Sequence, residues 1–122
     1  MTLTGSEKQI KYALACVDMF MDRANNEIAD LVDVISDYDD YVAAGKQEDE
    51  LGNDVTNEIA WANEMIRGWR IMIDAVQTME SAGAIIDNTK RIPDCMRKIS
   101  WHVHNGLSFE SACDKPFCKP II

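Results

Sequence analysis

Apolar residues recur at alternating spacings of four and three from Ile10 through Leu14, Val17, Met21, Ala24, Ile28, Leu31, Ile35 and Tyr38 to Val42. A strand cannot bury such a set on one face, because its side chains alternate with a period of two; a helix can. The seam holds over more than four heptads, so the pattern predicts a long helix that needs a partner along its length. Two start signals precede it. Thr4 with Glu7 makes one candidate capping box, and Ser6 with Gln9 makes another two residues later. Gly45 suits the position just past a helix end. Helix one is therefore expected over 6–44, on the order of 55–60 Å long. A kink is expected near Asn25-Asn26, since asparagine is a poor interior residue.

The polar segment 46–54 contains Gly52-Asn53 and reads as a turn, with Asn53 or Asp54 placed to cap a second helix. Helix two, over 54–82, carries two apolar seams. One runs Val55, Ile59, Ala62, Ile66, Trp69, Ile73, Val76; the other runs Trp61, Met65, Gly68, Met72, Ala75, Met79, Ala82. Adjacent seams lie about 100° apart round a helix, so this element needs partners on two sides. Pro93 suits the first turn of a short third helix over 93–103, with Ile92, Met96, Ile99 and Val103 on its inner face. The tail, 105–122, reads as an irregular wrap docked through Phe109, Phe117 and Ile121. With 122 residues, the chain fits one domain. The fold class is all-α: a long antiparallel helical hairpin with a short third helix and an irregular C-terminal tail.

This layout implies a shape. Residues 12–21 are apolar at nine positions of ten, so the first half of helix one is expected to be buried nearly all round. A third helix of roughly 18 Å cannot cover a second helix of about 43 Å. Residues 30–58 should then project as a two-helix prong or pair with another copy. An isolated prong buries little surface per residue, which favours a homodimer.

Charge is distributed as unevenly as apolar surface. Residues 1–60 hold 14 acidic and 4 basic side chains, whereas 61–122 hold 7 and 8. Within the expected prong stand Asp30, Asp33, Asp37, Asp39, Asp40, Glu48, Asp49, Glu50, Asp54 and Glu58 against the single base Lys46. Glu27, Asp30, Asp33, Asp37 and Asp40 are spaced three, three, four and three, a stripe along one helix face. Neighbours in it lie about 5–6 Å apart, close to the phosphate spacing of a nucleic-acid strand. Like charges so placed repel, so the stripe does not serve helix stability. It reads either as a phosphate-backbone imitation for a basic groove on another protein, or as a solvated face that maintains solubility. The candidate partner-binding residues are Glu27, Asp30, Asp33, Asp37, Asp40, Glu48, Asp49 and Glu50.

Several function classes are disfavoured. A chain of net charge −9 would bring carboxylates up to phosphates, so direct nucleic-acid binding is not expected. No apolar run approaches a membrane span, and the N-terminus lacks a signal-peptide pattern, so the expected location is cytoplasmic, with no membrane partner. Cys16, Cys95, Cys113 and Cys118 are then expected as thiols. His102, His104, Cys113 and Cys118 are four ligand types that zinc accepts, but their spacing matches no common finger. The expectation is two half-exposed histidines, two packed thiols and no metal or other cofactor, with a zinc-stapled adaptor as an alternative. Glycine-rich phosphate loops, nucleophile elbows and His-Glu-x-x-His helices are missing, so no catalytic residue is assigned and an enzyme is not expected. Glu64 with Arg67 and Arg70 with Asp74 read as helix-face pairs.

The opening Leu3-Thr4-Gly5-Ser6-Glu7-Lys8-Gln9-Ile10, followed by Ala13, resembles the start of small proteins carried by phages and other mobile elements. In those, a Thr-Gly-Ser-Glu-Lys-Gln start is associated with a later Trp-Ile-Asp-Asn-Arg-type segment. Here Ile85-Ile86-Asp87-Asn88-Thr89-Lys90 takes that place without the tryptophan and arginine. The resemblance implies a mobile-element origin, a setting in which small acidic proteins often inhibit host defence, as anti-CRISPR and anti-restriction proteins do. The functional expectation is a non-enzymatic inhibitor whose acidic helical face, a DNA mimic, occupies a nucleic-acid-binding host protein. The alternative is a self-associating structural or assembly protein.

Overall fold

The computed structural model describes residues 3–114. The fold is all-α, with helices α1 (Glu7–Asp37), α2 (Asp39–Ala43), α3 (Val55–Gln77), α4 (Ala82–His104) and α5 (Phe109–Cys113). Of the two start signals, Ser6 and Gln9 make the capping box. Gln9 N donates to Ser6 Oγ at 3.1 Å, and Ser6 N donates to Gln9 Oε1 at 3.2 Å. Thr4 is used differently: its N–H donates to Glu80 O at 2.7 Å and its carbonyl accepts from Ala82 N at 2.9 Å. The chain start is thereby tied to the turn between α3 and α4.

The long first helix bends at Tyr38 and passes through Asn25 and Asn26 as regular helix. Both asparagines are exposed, so water satisfies their amides and the local cost stays small. At Tyr38 the amide is shared between Val34 O at 3.3 Å and Ile35 O at 3.2 Å, the bifurcated pattern of a tightened last turn. The expected 6–44 element is thus two helices meeting at a corner. Gly45, at φ +69°, ends the second of them, as its freedom in the left-handed region allows.

The largest departure lies after α3, which stops at Gln77 rather than 82. Ser81 caps α4, accepting from Ala84 N at 3.3 Å, so the third helix starts at Ala82 and not at Pro93. It has 23 residues, as many as α3. Its buried positions Ala82, Ile85, Thr89, Ile92, Met96, Ile99 and Val103 form one unbroken seam, and its burial outweighs the cost of Pro93 mid-helix. Thr89, at the carbonyl the proline cannot serve, donates its Oγ1 to Ile85 O at 2.7 Å.

At about 34 Å each, α3 and α4 cover one another along their length. Near the far end Trp61 Nε1 donates to Ser100 Oγ at 3.0 Å, and Asn57 Nδ2 donates to His104 O at 3.2 Å. α1 runs parallel to α4 and antiparallel to α3, which makes a three-helix bundle. Its core joins Phe20, Ala24 and Leu31 to Met65, Trp69 and Met72 and to Ile92, Met96 and Ile99. Of the expected prong over 30–58, residues 30–37 and 55–58 belong to the bundle helices, with Leu31 and Val55 buried. Only 38–54, which contains no buried residue, extends past it.

α5 begins the segment read as an irregular tail. Its Phe109 is fully buried over Gly68, where a Cβ would lie 2.5 Å from the ring. Phe109 N donates to Glu64 Oε2 at 2.8 Å, and Arg67 pairs with both Glu64 and Glu110. The hydrogen bonds from Arg67 and from the Phe109 amide hold Glu64 below the usual carboxylate range, against the opposing effect of its partial burial. Arg70 and Asp74 form no ion pair among the described residues. Phe117 and Ile121, the other expected anchors, lie outside the described residues. With α5 seated on α3 and α4, the start of α1 has cover on two flanks only among the described residues. Tyr12, Leu14 and Met19 are exposed, where burial all round was expected.

A candidate docking surface at the acidic end

The segment past the bundle is fixed by one carboxylate. Asp49 Oδ2 accepts from Tyr38 OH at 2.7 Å and from Asn53 Nδ2 at 3.1 Å; its Oδ1 accepts from Leu51 N and Asn53 N, both at 2.9 Å. Backbone bonds from Gly52 N to Asp49 O and from Val55 N to Gln47 O close the loop on itself. Gly52 takes φ +82°, a left-handed turn position that suits glycine. The same hydrogen bonds, Tyr38's above all, lower the Asp49 pKa to about 2. Reciprocally, the carboxylate on its hydroxyl raises Tyr38 to about 12. Asp49, read from sequence as a partner-binding residue, is placed as the fastener of the loop.

The other candidates fall into two groups. Glu27 sits beside Arg23 at 3.8 Å and lines a groove between α1 and α4, as does Asp30. Asp33, Asp37, Asp40, Glu48 and Glu50 are exposed around the far end, and the bend at Tyr38 separates the α1 stripe from Asp40. None of the ion pairs among the described residues involves a carboxylate between 30 and 54. Lys46, the one base there, lies over the Tyr41 ring at 5.9 Å. Asp33 and Asp37 also stand in the last turns of α1, where no base offsets the negative end of the helix dipole. Both effects oppose helix stability.

Sequence reasoning missed the apolar part of this surface. Leu51 is 87% exposed and Val42 is 57% exposed. Leu51 rims a cavity of about 300 Å³ with Val34, Asp37, Tyr38, Tyr41 and Glu50. The available signal was Leu51 itself, an apolar residue between turn formers and outside every seam.

No family model, curated protein or solved structure matches the chain. The end just described is a rigid, negatively charged surface with an exposed leucine at its tip. Its chemistry suits positive charge.

Of the C-terminal ligand set, the described members His102, His104 and Cys113 are not gathered into a metal site. His104 pairs with Glu58 and meets the Trp61 ring edge-on, while His102 lies against Trp101. Cys113 is buried, and Cys118 lies outside the described residues. Among the described residues no three His, Cys, Asp or Glu side chains are placed to hold a metal ion. No helix among them is long and apolar enough to cross a membrane.

Proposed function

We propose that the protein is a non-enzymatic inhibitor whose acidic end docks on a basic, nucleic-acid-binding surface of a host protein, a defence nuclease of the anti-CRISPR or anti-restriction target type. The observation that carries the reading is the set of exposed carboxylates without ion pairs among the described residues, Asp33 and Asp37 at the end of α1, Asp40 in α2, and Glu48 and Glu50 on the loop that Asp49 fastens. Charges that work against their own helix are more economically explained by an external cation than by the fold. A partner contributing Arg and Lys would relieve their mutual repulsion and would be steered in by it. Leu51 supplies an apolar anchor inside the charged rim, the arrangement in which interface energy concentrates. The host-defence target rests on the resemblance of the first residues to mobile-element proteins.

The test is capture from a nuclease-containing host lysate by the native protein and by an Asp33→Asn, Asp37→Asn, Asp40→Asn variant. Capture of a nucleic-acid-binding protein by the native form alone, released by added salt, is the expected result. Equal capture by both forms would remove the acidic end as the site.

A further inference from the structure

We propose that the open groove between α1 and α4 is the interface with a second copy of this chain, with the two-fold axis running along the groove. Of the faces of the bundle, the α3–α4 side is closed by α5, whose Phe109 fills the space over Gly68. Among the described residues, the α1–α4 side has no such cover. There two cavities, of about 290 and 240 Å³, adjoin and share Arg23 and Pro93 in their walls. Trp69, Met96 and Leu31 form the floor of one, and Tyr12 and Met19 flank the other. Met19 is 73% exposed, and Trp101, beside Arg97 on the outer flank of α4, is 65% exposed. An apolar trough edged by Tyr, Trp and Arg has the composition of interface centres.

Charge decides the occupant. The α1 edge carries Glu27 and Asp30 with Arg23, and the α4 edge carries Lys90 and Arg97 with Asp94, so the first edge is acidic and the second basic by one charge each. Because α1 and α4 run parallel, a two-fold axis along the groove sets the α1 of each copy opposite the α4 of the other at the same height. Acidic edge then meets basic edge twice. A two-fold axis across the groove would instead set α1 on α1, carboxylates on carboxylates. The existing pairs Arg23–Glu27 and Arg97–Asp94 are between exposed side chains, and such pairs cost little to rearrange. The face is thus complementary to itself in one arrangement, as an isologous interface must be.

Sedimentation equilibrium of the full chain over nanomolar to high micromolar concentration tests this. The native protein should reach dimer mass, and Met19→Glu, at an exposed position that the fold does not use, should weaken the dimer at least tenfold with the helical circular dichroism unchanged. Glu27→Lys and Arg97→Glu should each weaken it, and the chain carrying both should recover it. A native protein that stays monomeric throughout overturns the proposal and leaves the groove to a foreign occupant. A dimer indifferent to Met19→Glu, or not rescued by the double reversal, overturns it equally. The Asp33→Asn, Asp37→Asn, Asp40→Asn variant should dimerise as the native chain does, which keeps this result separate from the fate of the acidic end.

Discussion

Tyr38 and Asp49 form a pair whose ionisation is set strongly by structure, and their shifts have opposite pH consequences. A carboxyl at about 2 in the folded chain, against about 3.9 in an unfolded one, stabilises the loop above pH about 4. That contribution fades as pH falls towards 2. A phenol raised to about 12, against about 10 unfolded, contributes fully below pH about 10 and is lost as pH rises through 12. The loop should be tightest between those limits. In an NMR titration the Asp49 carboxyl carbon should show a midpoint near 2, and Tyr38→Phe should move it up towards the ordinary value. An unmoved midpoint would mean that the 2.7 Å bond does not organise the loop. At this scale the sequence is a partial guide. The capping choice between Thr4 and Ser6, and the hydrogen bonding of Asp49's oxygens to the loop amides and Tyr38, depend on contacts with residues 80–82 and 38 that local patterning does not register.

Elements follow the apolar seams, and a single unfavourable residue does not interrupt one. The heptad positions of α4 continue upstream of Pro93 through Ile92, Thr89, Ile85 and Ala82, but a proline and the polar run Asp87-Asn88-Thr89 suggested an interruption. Burial of Ile85 and Ile92 against the other helices outweighs a local defect of about 3 kcal/mol. Replacing Pro93 with alanine should therefore stabilise the chain, by up to about 3 kcal/mol, measured as a higher urea midpoint. A drop in stability would show that the ring's contacts in the groove matter more than the missing N–H. Gly68 is the opposite case. Its second-seam position promised only a small residue, whereas Phe109 needs the absent side chain. Gly68→Ala should cost about 1–3 kcal/mol through overpacking, and Phe109→Ala about 3–5 kcal/mol. If Gly68→Ala is neutral, α5 is not seated as described. The docking of α5 was illegible beforehand because a five-residue helix has no periodicity to read.

Across the whole molecule, apolar and charged surface are segregated: a seamed bundle at one end, carboxylates with a single base at the other. The charge asymmetry was plain in the sequence, but its placement depended on the length of α4. A short third helix leaves residues 30–58 as a bare prong; the full-length one takes 30–37 and 55–58 into the bundle and confines the projecting part to 38–54. The remaining carboxylates then repel one another within a smaller region, with two beside the negative end of α1. Neutralising Asp33, Asp37 and Asp40 as asparagines should consequently raise the melting temperature, since each relieved i,i+3 or i,i+4 pair contributes a few tenths of a kcal/mol, or a degree or more in a domain of this size. The rise should shrink as salt is added, because exposed charges are screened over about 10 Å at 0.1 M. The same variant should lose capture of a basic partner. Gaining stability while losing binding would mark these carboxylates as placed for an external surface. A variant no more stable than the native chain at low salt would mean that the acids sit too far apart to strain the fold, and the argument from their cost would fall with it.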